Sequence, residues 1–215
     1  MKFLSLLPIA TMIFCNCRPY NDVEVLQRKS VALINKNNEE VYCGGTFVDY
    51  DLILTSAHCI DIDDSIIYYA TFNDFDQEMH RRLDHVREAK MIGYNPKIDL
   101  ALLETNWFNN TFAKIAFEVE TGEVLQSVFH ADFYPWMFNR GSVAGVLREH
   151  DQDLCPIPIN EQLGIKIVQM NLPVHSGNSG SAVFNEDFEL MGVISWHSTV
   201  SQISTAVHRD EIVKF

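Results

Sequence analysis

Residues 41–59 read VYCGGTFVDYDLILTSAHC. Two short apolar runs, Val41–Val48 and Leu52–Ser56, stand on either side of an Asp-Tyr-Asp turn. Runs of this length, bounded by turn residues and rich in Val, Ile, Phe and Thr, are typical of β-strands rather than helices. This stretch is therefore predicted to be a strand pair, with His58 just beyond its second strand.

Similar short apolar runs recur along the rest of the chain. The other predicted strands are Val23–Ile34, Ile66–Phe72, Val86–Gly93, Leu100–Glu104, Val124–Ala131, Gly141–Glu149, Gly164–Leu172, Ser181–Phe184, Leu190–Trp196 and Ile203–Val207. A polar segment, Thr105–Glu123, separates two sets of six strands, and His208–Phe215 is predicted to form a short helix. This pattern predicts an all-β chain of two six-stranded antiparallel β-barrels, assigned to residues 18–112 and 113–215.

Composition excludes several classes of function. The 215 residues are 47% hydrophobic, which is ordinary for a folded protein with a substantial core. Lys and Arg number 16 against 29 Asp and Glu, so the formal net charge is −13. Because binding to phosphate backbones requires a surplus of cations, nucleic acid is excluded as a partner, and anionic membrane surfaces are disfavoured for the same reason.

The N-terminal segment is predicted to be a secretory signal peptide. In residues 1–17 a single cation, Lys2, precedes an apolar run from Phe3 to Phe14 that is too short to span a bilayer. A buried first strand or helix is the alternative. The protein is therefore expected to be secreted or, in a bacterial source, periplasmic. Association with a membrane is expected only if Cys15 or Cys17 is lipidated.

Three cysteines follow the signal segment, in a chain expected to reach an oxidising compartment. A bridge between Cys43 and Cys59 would close a loop of about 15 residues and contribute on the order of 3 kcal/mol to stability. Cys155 would then be left over, either free or paired with Cys17 if cleavage of the signal leaves Cys17 in place. A metal site built from Cys43, His58 and Cys59 is the competing interpretation, but no fourth ligand stands at zinc-like spacing. No metal is therefore predicted.

Two further motifs carry reactive groups. They are Asp99-Leu100-Ala101-Leu102-Leu103 and Ser176-Gly177-Asn178-Ser179-Gly180-Ser181. A serine hydroxyl is a poor nucleophile at neutral pH and needs an adjacent base, a role that an imidazole performs well. His58 would take the proton of Ser179 and return it to the leaving amine. Asp99 would accept from the other ring nitrogen and fix the tautomer.

The order His58, Asp99, Ser179, with Cys43 and Cys59 bracketing the histidine, resembles the chymotrypsin-fold, or trypsin-like, serine peptidases. The resemblance is greatest to their compact bacterial branch, which includes the glutamyl endopeptidases, and it covers about residues 25–215. The nucleophile-elbow motif Gly-x-Ser-x-Gly does not fit. Ser181 occupies the place of its last glycine, and the histidine precedes the serine in the chain.

The resemblance implies an active site in the cleft between the two barrels. The backbone N–H groups of Gly177 and Ser179 would form the oxyanion hole. The Ser195 hydroxyl would bond Asp99, and its carbonyl would meet the backbone of an extended substrate. Trp196 would form a wall of the subsite beyond the cleavage point.

Departures from the family pattern bear on activation and specificity. Asn178 replaces the aspartate that captures a new N-terminal ammonium in zymogen members, so that activation switch is predicted to be absent. Pro173 stands where trypsin-like members have a carboxylate at the floor of the specificity pocket, which disfavours cleavage after Lys or Arg. His197 would narrow the pocket and favour small or medium apolar side chains. A preference for Glu, recognised by His197 or His175, ranks second.

The sequence therefore predicts a secreted serine endopeptidase that forms an acyl-enzyme at Ser179. It is expected to be a monomer, to act on peptides or proteins and to need no cofactor. The alternative is a catalytically inactive binding or adhesion protein that keeps the protease fold and grips a peptide without cutting it.

Overall fold

A computed structural model describes residues 21–35, 37, 40–75, 85–131, 134–147, 165–197 and 204–215. Several predictions concern residues outside this set, namely the signal peptide (1–17), the lipidation of Cys15 or Cys17, the pairing of Cys155 and the ends of the strands that reach Glu149, Gly164 and Ile203. Among the helices of the described part, none is long and apolar enough to cross a membrane.

Six strands close the first barrel. They are β1 (Ser30–Asn35), β2 (Glu40–Phe47), β3 (Leu52–Thr55), β4 (Ile67–Thr71), β5 (Arg87–Asn95) and β6 (Leu100–Thr105). Their order around the barrel is β1-β2-β3-β6-β5-β4, every pairing is antiparallel, and β4 returns to pair with β1. Closure leaves none of these six described strands with an unpaired edge.

Six more strands close the second barrel. They are β7 (Val124–Ala131), β8 (Tyr134–Leu147), β9 (Ile167–Asn171), β10 (Ala182–Phe184), β11 (Leu190–His197) and β12 (Ser204–His208). The order β7-β8-β9-β12-β11-β10 repeats that of the first barrel, again with antiparallel pairing throughout. The predicted fold of two antiparallel six-stranded barrels is confirmed, as is the short C-terminal helix, α2 (Arg209–Lys214).

The predicted first strand, Val23–Ile34, is wrong in its first half, because Asp22–Lys29 forms a helix, α1. The Asn21 side chain caps it by accepting from the Glu24 N–H at 2.8 Å. Acidic residues occupy its first turn and basic residues its last, which favours a helix through its dipole. The strand pattern begins only at Ser30.

The predicted strand Gly141–Glu149 begins too late, since β8 starts at Tyr134 and runs for 14 residues. Its first half pairs with β7, with Phe138 opposite Val128 and Met137 opposite Phe129. Pro135 and the neighbouring aromatic residues give this half no regular alternation, so the sequence pattern did not reveal it.

Residues 106–123, the connector, link the two barrels. The N–H of Ala113 donates to the carbonyl of Phe47 in the first barrel at 2.7 Å. The next residue, Lys114, accepts at 2.7 Å from the N–H of Leu190 in the second barrel. The chain therefore passes from one barrel to the other between these two residues.

Each barrel has its own apolar interior, and a third cluster joins them. Phe47, Ile53 and Tyr69 lie in the interior of the first barrel, and Val168 and Met170 lie in that of the second. The joining cluster includes Leu26, Leu54, Leu100, Val128, Trp136, Ala182 and Phe184. Because it draws on both barrels, this cluster holds them in a fixed relation and so supports the groups in the cleft.

Candidate active site

His58 lies on a single 3₁₀ turn, Ala57–Cys59, that follows β3 directly. A disulfide joins Cys59 to Cys43 of β2, with 6.1 Å between the two Cα atoms. The turn is closed by the Cys59 N–H, which donates to the Ser56 carbonyl at 3.1 Å. The histidine is thus anchored to two neighbouring strands, while 47% of its side chain remains exposed.

Asp99 stands behind the imidazole at the start of β6. Its carboxylate accepts from the Nδ1 of His58 at 2.8 Å, from the backbone N–H of His58 at 2.9 Å and from the hydroxyl of Ser195. The residue has φ +54°, in the left-handed region that aspartate tolerates better than most residues. Burial by itself raises the pKa of Asp99, but the hydrogen bonds from His58 and Ser195 outweigh it, so the pKa lies below its ordinary value.

Ser179 reaches the first barrel through a docked backbone turn. Its carbonyl accepts from the N–H of Gly44 at 2.7 Å, and Gly44 follows the bridged Cys43 directly. Gly180 has φ +81°, and a Cβ there would lie 2.3 Å from both the Gly44 carbonyl oxygen and the Thr55 Oγ1. Only glycine fits at this position, because both the backbone angle and the space exclude a side chain.

Three of the hydrogen bonds that cross between the barrels lie beside the predicted catalytic residues, and they define what we call the seam. They are Gly44 N to Ser179 O, Ser56 Oγ to Ile194 O at 3.0 Å and Ser195 Oγ to Asp99 Oδ2. The residues on either side of the seam include or adjoin His58, Asp99 and Ser179. The structure therefore brings the three predicted catalytic residues to one junction between the barrels.

The four residues His175–Asn178 form a tight turn, here called the oxyanion turn. The N–H of Asn178 donates to the His175 carbonyl at 3.1 Å, and Gly177 at the third position has φ +94°. A positive φ at that position defines a type II turn, in which the central peptide is flipped relative to type I. Among the described residues, neither Gly177 N–H nor Ser179 N–H donates to a backbone carbonyl. These are the two amides that the family resemblance assigns to an oxyanion hole.

The predicted specificity residues lie around the ends of β9 and β11. Pro173 is exposed, and its carbonyl accepts from the Asn139 side chain at 3.4 Å. His175 is also exposed. The backbones of Trp196 and His197 belong to β11, opposite Thr205 and Ser204 of β12. Ser195, one residue earlier, is in contact with Asp99, as expected from the family resemblance.

Cys43, His58 and Cys59 have ligand atoms within 4.8 Å of one another, which is the cluster considered above as a metal site. The two sulfur atoms are bonded to each other. A disulfide offers no thiolate, and zinc requires deprotonated cysteine as a ligand. The cluster is therefore explained as a covalent anchor for the histidine turn.

Two residues with a clear place in this site were missed by the sequence interpretation. Ser56 crosses the seam, and His130, buried on β7, contacts Asn178 through its backbone. Both contacts depend on backbone carbonyls that are distant in the chain, and such contacts carry no local sequence signal.

Comparison with known proteins agrees with this architecture. The family model described as "Trypsin-like peptidase domain" matches residues 43–193, which is more than half of the chain. The chain belongs to the trypsin-like peptidase domain family. The match identifies the family and not its branch, so the glutamyl-endopeptidase branch stays a prediction.

Solved structures show the same fold. The active form of the Rv3671c protease of M. tuberculosis matches with a TM-score of 0.71 at 15% identity, over 90% of this chain and 82% of that one. The inactive form of the same protease matches with 0.70 at 15% identity, over 89% of each chain. The serine endoprotease of Yersinia pestis matches with 0.67 at 21% identity, over 89% of this chain and 62% of that one.

Proposed function

We propose that this trypsin-like peptidase is a secreted serine endopeptidase whose catalytic triad is His58, Asp99 and Ser179. The observation that carries the proposal is the set of three hydrogen bonds to one carboxylate. Asp99 holds the His58 ring, the His58 backbone and the Ser195 hydroxyl at the junction where Ser179 docks on Gly44. A carboxylate that only formed an ion pair on the surface would not require three donors from two barrels around it.

In the proposed mechanism the Nε2 of His58 takes the proton of the Ser179 hydroxyl as that oxygen attacks the scissile carbonyl. Asp99 accepts from Nδ1, which keeps the ring in the tautomer that leaves Nε2 free as a base. The N–H groups of Gly177 and Ser179 stabilise the oxyanion. The protonated imidazole then gives its proton to the leaving amine, and water repeats the sequence to release the acyl group.

The proposed substrate is an extended peptide laid beside Ser195 in β11, so that its backbone adds to the sheet. The sequence around the pocket favours a small or medium apolar side chain before the scissile bond, with Glu second. Pro173 brings no charge to balance a buried Lys or Arg, so cleavage after those residues is disfavoured.

The test is the Ser179→Ala variant, compared with the wild type for hydrolysis of a mixed peptide library and for labelling by a fluorophosphonate. Only the wild type should hydrolyse peptides and become labelled, because the variant lacks the nucleophile. Mass spectrometry of the products gives the residue preferred before the cut. Labelling of the variant to the same extent would refute the assignment of Ser179.

The same experiment decides between the enzyme and the inactive binding protein. A folded wild-type chain that neither hydrolyses the library nor reacts with the fluorophosphonate would favour the binding protein. The type II geometry of the oxyanion turn supports the enzyme, because a binding protein has no need to keep the Gly177 amide free.

A further inference from the structure

His130 is a buried histidine of β7 with only 2% of its surface exposed. Its Nε2 lies 3.1 Å from the carbonyl of Val31 in the first barrel, and its Nδ1 accepts from the N–H of Trp136 in β8 at 3.2 Å. One nitrogen accepting and the other donating requires a neutral ring protonated at Nε2. The ring therefore ties β1 of the first barrel to the β7–β8 pair of the second.

The backbone of His130 contacts the residue that precedes the proposed nucleophile. Asn178 is 1% exposed, and in the orientation that matches donors to acceptors its side-chain amide donates to the His130 carbonyl at 3.0 Å. The same side chain accepts from the N–H of His175 at 3.0 Å. His175 and Asn178 are the two ends of the oxyanion turn, so one buried amide fixes both ends.

Trp136 supports the ring of His130 from the other side. Its indole meets the imidazole edge to face, with 4.7 Å between centroids, and packs against Phe72 and Phe75 at 5.6 and 5.5 Å. Its φ is +66°, a backbone conformation that persists only where the surroundings enforce it. The two phenylalanines belong to the segment after β4. The first barrel therefore keeps the backbone N–H of Trp136 directed at the Nδ1 of His130.

These contacts form one continuous path, from the Val31 carbonyl through the His130 ring and backbone to Asn178 and the oxyanion turn. We infer that His130 is a positioning residue, which through Asn178 holds the turn in the type II form that leaves the Gly177 amide free for the oxyanion. The inference rests on the proposed function, because it concerns the same active site.

The path also explains how the turn is held without an ion pair. Asn178 is neutral and cannot bind an ammonium as a carboxylate would. Its two hydrogen bonds run instead to a carbonyl and an N–H of the protein itself. The turn is thus set by the packing of the two barrels, and its geometry needs no cleaved N-terminus.

The test compares His130→Ala, Asn178→Ala and a matched control, His208→Asn, with the wild type. His208 is also buried, at 1% exposure, but it caps α2 by accepting from the Asp210 N–H, a role that asparagine can also perform. It lies at the end of β12 opposite Gly192, away from the Ser204 end that pairs with His197.

We expect His130→Ala and Asn178→Ala each to lower kcat by about 10- to 100-fold, less than the about 100- to 1,000-fold that removal of one oxyanion donor costs. KM should stay within about twofold, because substrate binding does not depend on the oxyanion amides. A peptide boronic acid, which places an oxygen in the oxyanion hole, should bind more weakly by the same factor as kcat. His208→Asn should keep the wild-type kcat.

Thermal unfolding verifies that each variant is folded at the assay temperature. If His130→Ala is unfolded at that temperature, the test uses the kcat of Asn178→Ala alone. Wild-type kcat in the folded variants would overturn the positioning role. The positioning role would also be overturned if His208→Asn lost as much kcat as the other two variants, or if those variants changed only in KM. A wild type without any hydrolysis or labelling would instead contradict the proposed function.

Discussion

Asp99 shows how much of this site depends on a single side chain. Three donors from two barrels converge on its carboxylate, and its own backbone adopts a left-handed conformation. A carboxylate that must both orient a ring and bridge the seam has little freedom to move. Its hydrogen bonds outweigh its burial, which keeps it ionised and able to stabilise a protonated imidazole.

The Asp99→Asn variant is expected to lose about 10³- to 10⁴-fold in kcat with KM little changed. The amide keeps the size of the carboxylate but presents an N–H to the ring, which favours the tautomer that cannot act as base. Steady-state kinetics on a peptide found in the library screen measures the loss. The matched control is Asp187→Asn in the exposed hairpin between β10 and β11, which should retain full activity.

An Asp99→Asn variant within about tenfold of wild-type kcat would contradict the role of this carboxylate. Far-ultraviolet circular dichroism and thermal unfolding of both variants separate a chemical loss from a loss of fold.

The positions of individual residues at the junction were predictable where a short motif marked them. His58 follows a strand and stands beside a cysteine, and Ser179 stands between glycines, so the motifs alone suggested their chemistry. The left-handed backbone of Asp99 was not predictable, because the turn before β6 sets it. The contact between His130 and Asn178 was likewise hidden, since it joins a backbone carbonyl to a side chain 48 positions away in the sequence.

At the scale of elements, the turn that carries Ser179 is shaped by glycine. Gly180 and Gly122 both have positive φ, at +81° and +94°. They differ in space, because a Cβ on Gly180 would strike Gly44 and Thr55 at 2.3 Å, whereas a Cβ on Gly122 meets nothing within 4 Å. The chain thus contains a natural pair in which backbone strain and steric conflict can be separated.

We expect Gly122→Ala to lower the free energy of unfolding by about 1–2 kcal/mol, the cost of placing a side chain in the left-handed region, and to leave activity intact. Gly180→Ala should cost a further 1–3 kcal/mol or so through overpacking, and should abolish hydrolysis by pushing Ser179 away from Gly44. Denaturant unfolding and peptide hydrolysis measure the two effects. If the two variants had the same free energy of unfolding and the same rate of hydrolysis, the docking of Gly180 on the first barrel would be unimportant.

Most elements were predictable because strand periodicity is local. The exceptions have identifiable causes. In Asp22–Lys29 the valines suggested a strand, but the Asn21 cap and the charge distribution favour a helix. In β8 the segment from Tyr134 is held in the sheet by pairing with β7 in spite of its proline, and such pairing outweighs the local preference.

At the scale of the whole molecule, His130 makes the joint between the barrels sensitive to acid. Burial lowers the pKa of His130 to about 4, although the hydrogen bond to Val31 opposes the shift. Between about pH 6.5 and 4 the unfolded chain binds a proton that the folded chain excludes, so stability is lost as pH falls through this interval and is fully present above it. The effect amounts to roughly 3 kcal/mol for this one group.

Denaturant unfolding of the wild type and of His130→Asn, measured from pH 7 to pH 4, tests this linkage. The asparagine can still accept from the Trp136 N–H but does not titrate, so the free energy of unfolding of the variant should fall less steeply with acid. His208, whose pKa burial also lowers to about 4, remains in both proteins and provides a common background. Parallel curves for the two proteins would exclude His130 as a source of acid sensitivity.

The division of the chain into two barrels with the same strand order has a consequence for how the protein could be used. His58 and Asp99 belong to the first barrel and Ser179 to the second. The connector passes from one barrel to the other between Ala113 and Lys114. Two fragments divided within the connector would each carry only part of the proposed triad. Hydrolysis on mixing them would then report reassociation of the halves, which would make this chain a candidate for a split-enzyme sensor of proximity.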